Sequence, residues 1–221
     1  MKILELFSGT KSFSKVAEKR GHKTTTLDWD KNFEPEIVYD VLDIPIKDID
    51  AFFGEHFDVI WASPPCTEYS RAKSQGVRNI EYANKVVKQT LKIIKKLNPK
   101  IWIIENPQTG LLKEQPFMKG LPYVDVSYCK YGLPYKKQTR LWTNLKFNGK
   151  ICNKDCKFLT DGLKGKRHLC SAGCGGKGQG HKIKYSDKSF MAKDKYVVPK
   201  KLCLDIIKCC EKQIKNGKSS K

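Results

Sequence analysis

Two short stretches of the chain carry groups that could do chemistry. In DVIWASPPCTEYS, residues 58–70, four apolar residues run into Pro64 and Pro65, and Cys66 follows at once. A thiolate is a strong nucleophile, and it serves as one only on a rigid support. Two prolines stop a strand and fix the turn behind it, so Cys66 is presented at the strand's carboxyl end and not packed inward, where a free cysteine usually lies. In IIENP, residues 103–107, Glu105 and Asn106 close a second apolar run before Pro107. A carboxyl bordering a pocket is desolvated and tends to hold a proton, which makes Glu105 a candidate acid. A nucleophile on one strand end and an acid on another form a constellation that neither makes alone.

Such groups need a frame. Apolar runs of four to seven residues alternate with longer amphipathic segments, the pattern of a mostly parallel sheet flanked by helices. Strands are expected at 3–7, 23–27, 57–62, 101–105 and 124–128, and helices at 12–20 and 80–97. Ligands of open α/β sheets bind outside the carboxyl ends of the strands. LELFSGTKSF leaves the first strand through Gly9, and Asp28 ends the second, as in the nucleotide-binding half of a doubly wound fold. Asp43 is a third polar residue at a strand end, where a plain turn aspartate fits equally well. From Asn144 onward Gly, Lys and Cys dominate and hydrophobic periodicity vanishes. Order returns at Tyr196, with a helix opened by Pro199 that carries Leu202, Ile206, Cys209 and Cys210 on one face. Three units are expected: a catalytic part at 1–144, a small insert at 145–192, and a returning helix with a frayed tail at 193–221.

The chain has 221 residues, with 43 Lys and Arg against 23 Asp and Glu, a net charge of +20. Such an excess points to a polyanionic partner, nucleic acid first. Only five of the basic residues are arginines, and an AT-rich genome would produce the same lysine bias. No run reaches the roughly 18 to 20 apolar residues that cross a bilayer, so no membrane partner is expected. No signal peptide precedes KILELF, and nine cysteines, an odd number, do not suit a secreted disulfide scaffold. An intracellular, cytoplasmic setting is expected.

FSGTKSF, ASPPCTEYS, IIENP, YGLPYKKQTR and YVVPKKL occur in the order found in cytosine-C5 DNA methyltransferases, which the chain resembles over nearly its whole length. It looks like the short form of that family seen in phages and other mobile elements. The resemblance implies a Rossmann-like S-adenosylmethionine-dependent methyltransferase fold with a small Cys-rich insert. It implies that Cys66, as thiolate, adds to C6 of a flipped cytosine while Glu105 protonates or hydrogen-bonds N3. C5 then takes the methyl group of S-adenosylmethionine, and loss of the C5 proton with elimination of Cys66 releases the product. Asn106 accompanies Glu105, and Arg140 of QTR, with Gln138 beside it, would steady the base or a flanking phosphate. Phe7, Ser8, Gly9, Thr10, Lys11, Asp28, Trp29, Asp43, Ile44 and Pro64 fall in the family's cofactor segments. Ser63 to Ser70 match the nucleophile loop; Ser70, Arg71, Trp142, Arg167 and Lys177 are the expected nucleic-acid contacts. DNA is the expected partner of a monomeric enzyme. The alternatives are the same chemistry on tRNA and a catalytically silent nucleic-acid-binding relative.

Several positions depart from the family pattern. Lys11 stands where a second glycine is usual, Trp142 where a second arginine is, and Pro107 follows Glu-Asn in place of an aliphatic residue. Lys195 replaces an asparagine near the transferred group, so a carboxylated S-adenosylmethionine analogue, and carboxymethyl transfer to C5, is weighed against a solvent-facing lysine. In the insert, Cys152, Cys156, Cys170 and Cys174 form two C-x3-C pairs, a spacing that suits structural zinc, with His168 and His181 as substitutes. A segment with so few apolar residues needs such a staple. Cys129, Cys203, Cys209 and Cys210 are assigned to the core. Lys164, Lys166, Arg167, Lys177 and Lys182 would offer phosphates a basic platform.

Overall fold

A computed structural model describes residues 1–160, 167–168, 170–171 and 197–218. Among these residues the main sheet has seven strands. Strands β1 (Lys2–Leu6), β2 (Lys23–Asp28), β3 (Ile37–Val38), β4 (Val59–Ala62) and β5 (Ile101–Pro107) are parallel, in the order β3-β2-β1-β4-β5. Beyond β5 come β6 (Tyr123–Ser127), the short β7 (Tyr135–Lys136) and β8 (Gln138–Thr143). β8 lies antiparallel against β5, and β6 pairs antiparallel on its far side.

The central strands β1, β4 and β5 are buried at nearly every position because both faces of the sheet are covered, and they are apolar apart from Lys2 and Glu5 on β1 and Glu105 and Asn106 on β5. Ile3, Val59, Trp61, Ile101 and Ile103 face one side; Leu4, Leu6, Ile60, Ala62 and Ile104 face the other. Four helices supply the cover: α1 (Ser14–Glu18), α2 (Ile49–Phe53), α3 (Ile80–Leu97) and α4 (Lys200–Lys218). On the first face Ala17 of α1 meets Leu202, Cys203, Ile206 and Cys210 of α4, and Phe13 stacks on Trp61 with ring centroids 4.5 Å apart. On the second, Ala83, Val87, Ile94 and Leu97 of α3 pack down. The Asn79 side chain accepts from Tyr82 N to start α3, and Asn98, in the left-handed conformation, ends it before Pro99.

The expected strands and all three expected helices are present; α3 spans the expected 80–97, and the other two helices differ in their ends. Helix α1 is confined to 14–18, and α4 runs on through Asn216 to Lys218, where a frayed tail was expected. β5 includes Pro107, in register with Thr139. β8 is an element that hydrophobic periodicity does not reveal: QTRLWT runs three polar residues, then Leu and Trp, then Thr, with no period-2 alternation, yet forms an interior strand.

Candidate active site

The turn after β4 is held from three sides. Ser63 N donates to Leu6 O on β1, and Ser63 Oγ accepts from the Trp61 indole at 2.8 Å. From β5, Asn106 Nδ2 donates to Pro64 O at 2.9 Å; Asn106 is 1% exposed. Tyr69, fully buried, closes the turn by donating its N–H to Cys66 O, and its hydroxyl donates to Asn84 Oδ1 on α3 at 2.9 Å. Cys66 sits half-buried on this frame.

Glu105, 6% exposed, is the neighbouring acid. Tyr128, just past β6, donates its hydroxyl to Glu105 Oε1 at 2.9 Å, and Lys137 Nζ lies 3.7 Å from the same oxygen and over the Tyr128 ring. Burial, and then the Glu105 charge, pushes the Tyr128 hydroxyl well above its usual range, so it remains a donor. Burial also pushes the Cys66 thiol up; the Glu105 charge adds to this and Lys137 partly offsets it. The nucleophile therefore rests as a thiol. Tyr128 and Lys137 were missed from sequence because nothing local says that β8 comes to lie against β5 with β6 on its far side.

A cavity of about 470 Å³ opens beside this edge, at the carboxyl ends of β1, β2 and β4, lined among others by Phe7, Asp28, Trp29, Asp40 and Tyr82. Pro65 and Thr67, the two neighbours of Cys66, also line it. Asp28 joins two loops, accepting from Gly9 N at 2.9 Å and from Asp30 N at 3.0 Å. Phe7, Gly9 and Lys11 have φ of 57°, 44° and 55°. Glycine takes this left-handed conformation freely, whereas Phe7 and Lys11 are strained there, a pattern typical of ligand-binding turns. The Lys11 ammonium donates to Glu34 O. Thr10 Oγ1 hydrogen-bonds Ser12 Oγ, which accepts from Val198 N and so ties the turn to the chain entering α4. Ser8 Oγ is buried with no partner among the described residues.

These residues fit an adenosyl cofactor. The Asp28 carboxylate keeps lone pairs for ribose hydroxyls, Trp29, 67% exposed, offers an indole face, and Ser8 offers an unused hydroxyl. Pro64 is buried beneath the cavity. Asp43 is exposed and Ile44 is core; neither lines the cavity, and Asp40, which caps the turn of Val41–Asp43 by accepting from Leu42 N, takes the place expected of Asp43.

Two β8 residues expected at the base or the nucleic acid are engaged within the protein in this structure. Arg140 Nε and Nη2 donate to Asp125 Oδ1 and Oδ2 at 2.7 and 2.8 Å, and the guanidinium covers the Tyr123 ring. Through Nε and Nη2 it clamps β8 to β6. The reason is register: Leu141 pairs opposite Glu105 and Arg140 opposite Asn106, so Arg140 faces away from the Glu105 side. Trp142 is 1% exposed within the α3-side core and presents no ring face to a base. Gln138 is half-buried, and its carbonyl accepts from Gln108 N. Ser70 and Arg71 lie on the nucleophile loop, with Arg71 exposed and paired to Glu114.

Arg167 and Cys170 are described in their backbone only, and Cys174, Lys177 and Lys195 lie outside the described residues. Cys152 and Cys156 come together with Cys129 and His168, their ligand atoms all within 4.8 Å of one another. Cys129 is buried, as a core residue would be, but its sulfur belongs to this cluster.

The family profile described as C-5 cytosine-specific DNA methylase matches residues 1–115. A Frog virus 3 (isolate Goorha) protein named "Probable DNA (cytosine-5)-methyltransferase" is 31% identical over 231 residues, covering 95% of this chain and 100% of that protein. A crystal structure described as a DNA modification methyltransferase encoded within an E. coli prophage aligns with a TM-score of 0.51 at 18% identity, over 67% of this chain and 49% of that one. Spodoptera frugiperda DNMT2 aligns with a TM-score of 0.44 at 16% identity, over 67% and 53%. The chain thus spans about half the length of these two structures, and the first shares its fold. No described helix is long and apolar enough to cross a membrane. With its first half matched by the family profile and the whole viral relative covered, the chain belongs to the C-5 cytosine-specific DNA methylase family.

Proposed function

We propose that the chain transfers a methyl group to C5 of cytosine in DNA, with Cys66 as the nucleophile and Glu105 as the acid at N3. The observation that carries these roles is the 2.9 Å hydrogen bond from Asn106 Nδ2 to Pro64 O. It joins the nucleophile's turn to the residue next to Glu105, so the two reacting groups share one rigid support. S-adenosylmethionine, when bound, supplies an electrophilic methyl group. Asp28, Trp29 and the Phe7–Lys11 turn hold and orient it.

Cys66 has to lose its proton, to water reaching the half-exposed thiol, before it can add to C6, and the Lys137 charge favours the thiolate formed. Glu105, held by Tyr128 and Lys137, has to take up a proton before it can donate to N3, and that hydrogen bond draws electron density from C6 and prepares it for attack. Arg140 serves by fixing β8 to β6, which places Lys137 and Thr139 beside Tyr128. The +20 charge favours a phosphate backbone, so binding should weaken steeply with salt. The reading includes a structural zinc ion at the insert, outside the reaction.

The test is nucleoside mass spectrometry of DNA from cells expressing wild type or Cys66→Ser. A mass gain on deoxycytidine that is lost in the variant supports the reading, and its size separates methyl from carboxymethyl. A gain on RNA cytidine alone would overturn DNA as substrate. Unmodified DNA and RNA, with no covalent adduct on 5-fluorocytosine DNA, would overturn the enzymatic reading.

A further inference from the structure

We infer that Cys129, Cys152, Cys156 and His168 bind a zinc ion that fastens the root of the insert to the edge of the catalytic sheet. Their ligand atoms lie within 4.8 Å of one another, and Cys152 Sγ is 3.4 Å from His168 Nε2. Zinc bonds of about 2.3 Å to sulfur and about 2.0 Å to nitrogen make tetrahedron edges of roughly 3.5 to 3.8 Å for three sulfurs and one nitrogen, so small side-chain rotations close the shell. Three thiolates and an imidazole are a soft tetrahedral set of the kind that selects zinc.

Four chain segments converge here. Cys129 lies in the turn Tyr128–Tyr131 that leaves β6. Cys152 and Cys156 flank a tight turn in which Lys154 is left-handed, with φ of 60°, and Asn153 N donates to Asp155 Oδ1. His168 arrives on a small hairpin in which β9 (Leu159–Thr160) pairs antiparallel with β10 (Arg167–His168). A further short strand, β11 (Cys170–Ser171), pairs with β7. The backbone is arranged without the metal's help: Ser127 N donates to Lys150 O at 2.9 Å, Cys152 N donates to Ser127 Oγ at 3.0 Å, and Lys130 pairs with Asp155 at 2.7 Å across the cluster. Gly149 permits this approach, since a Cβ there would come within 2.4 Å of Asp125 O.

His168 turns its Nε2 toward Cys152 Sγ, and an imidazole ligates through such a ring nitrogen. The local charges agree. Three thiolates on a divalent ion leave one negative charge, which Lys130 is placed to balance. Cys129 directly follows Tyr128, the donor to Glu105. The metal thus anchors the insert one residue from a group that touches the catalytic acid. This inference stands apart from the proposed methyl transfer, because zinc can be measured on the inactive Cys66→Ser protein.

The experiment is metal analysis and zinc X-ray absorption on the full-length chain, produced in zinc-supplemented medium and kept reduced. One equivalent of zinc with a shell of three sulfurs and one nitrogen is expected. Cys129→Ser and His168→Ala should each lose most of the metal, and the double variant Cys170→Ser/Cys174→Ser should keep it. A four-sulfur shell, loss of zinc only in the double variant, or folded wild type with little zinc would overturn the assignment. Should Cys129→Ser fail to fold, the absorption shell of the wild type decides alone.

Discussion

Cys66 and Cys152 both sit on tight turns beside the same sheet, and the two turns are held in opposite ways. The Cys66 turn rests on a core: Pro64 and Tyr69 are buried, and Asn106 reaches across from a buried strand. The Cys152 turn has almost no core beneath it; residues 153–155 are exposed, and its contacts are hydrogen bonds and one ion pair. Their thiols differ accordingly. Burial and the Glu105 charge push Cys66 up, whereas at Cys152 burial is outweighed by hydrogen bonds from the Asp155 and Lys154 backbone and from Cys129, which bring it down. A turn that burial already makes rigid can keep a single thiol in reserve for chemistry. A turn without burial needs a cross-link, which a metal bound to its thiols would supply.

If that contrast is right, the largest effect belongs to Cys66→Ser. Transfer should fall by at least about ten-thousandfold, while zinc content and thermal unfolding stay as in wild type. Loss of zinc in this variant would show that the two turns are not independent. Next comes Trp142→Ala, which should cost about 3–5 kcal/mol of stability by opening a cavity beside α3. Normal denaturant unfolding with a selective loss of DNA affinity would instead restore the indole as a base contact. Asn106→Ala removes the tie between the strand ends while leaving both reacting groups in place. It should lower kcat by about a hundredfold, the cost of misplacing a nucleophile by roughly 1 Å, with KM for the cofactor little changed. Cys156→Ser should lose the metal and lower transfer to DNA by up to about tenfold, with the alkylation rate of Cys66 unchanged. An altered Cys66 rate there would mean that the insert supports the nucleophile's turn directly.

The part of the site that could be read from sequence is the part made of strand ends. Cys66, Glu105, Asn106, Gly9, Asp28 and Trp29 each lie within a few residues of an apolar run that stops, and β4, β5, β1 and β2 carry them to one edge. What was not legible depends on pairing across the chain. Residues 138–143 carry a polar run followed by Leu and Trp, without alternation, which hid an interior strand, and its register decides that Arg140 meets Asp125. Tyr128 and Lys137 gain their roles only because β8 brings its end of the sheet against Glu105. Cys129 followed an apolar strand, so a core assignment was the natural one; only the return of the chain at Lys150 past Ser127 brings Cys152 to it. Cys152 and Cys156 are a local pair and were recognised, whereas their partners are not local.

The smallest effect probes the charges around Cys66. Of the groups acting on its thiol, burial and Glu105 favour the neutral form and Lys137 alone among the charged neighbours favours the thiolate. Only the thiolate alkylates, so the iodoacetamide rate at Cys66 should rise with pH and, because the thiol is pushed above its ordinary value, keep rising through pH 9. Replacing Lys137 with Gln removes the charge that lowers the thiol, moving the curve to higher pH. At pH 8, below the midpoint, the thiolate fraction and the rate should both fall several-fold. Tyr128→Phe is the control: it frees Glu105 Oε1 of its hydrogen bond while leaving the Lys137 charge in place, so the alkylation curve should move little. Peptide mass spectrometry separates Cys66 from the other thiols. A Lys137→Gln curve that overlays wild type would show that the Lys137 charge does not reach the nucleophile, and the Cys66 turn would then differ from the Cys152 turn in burial alone.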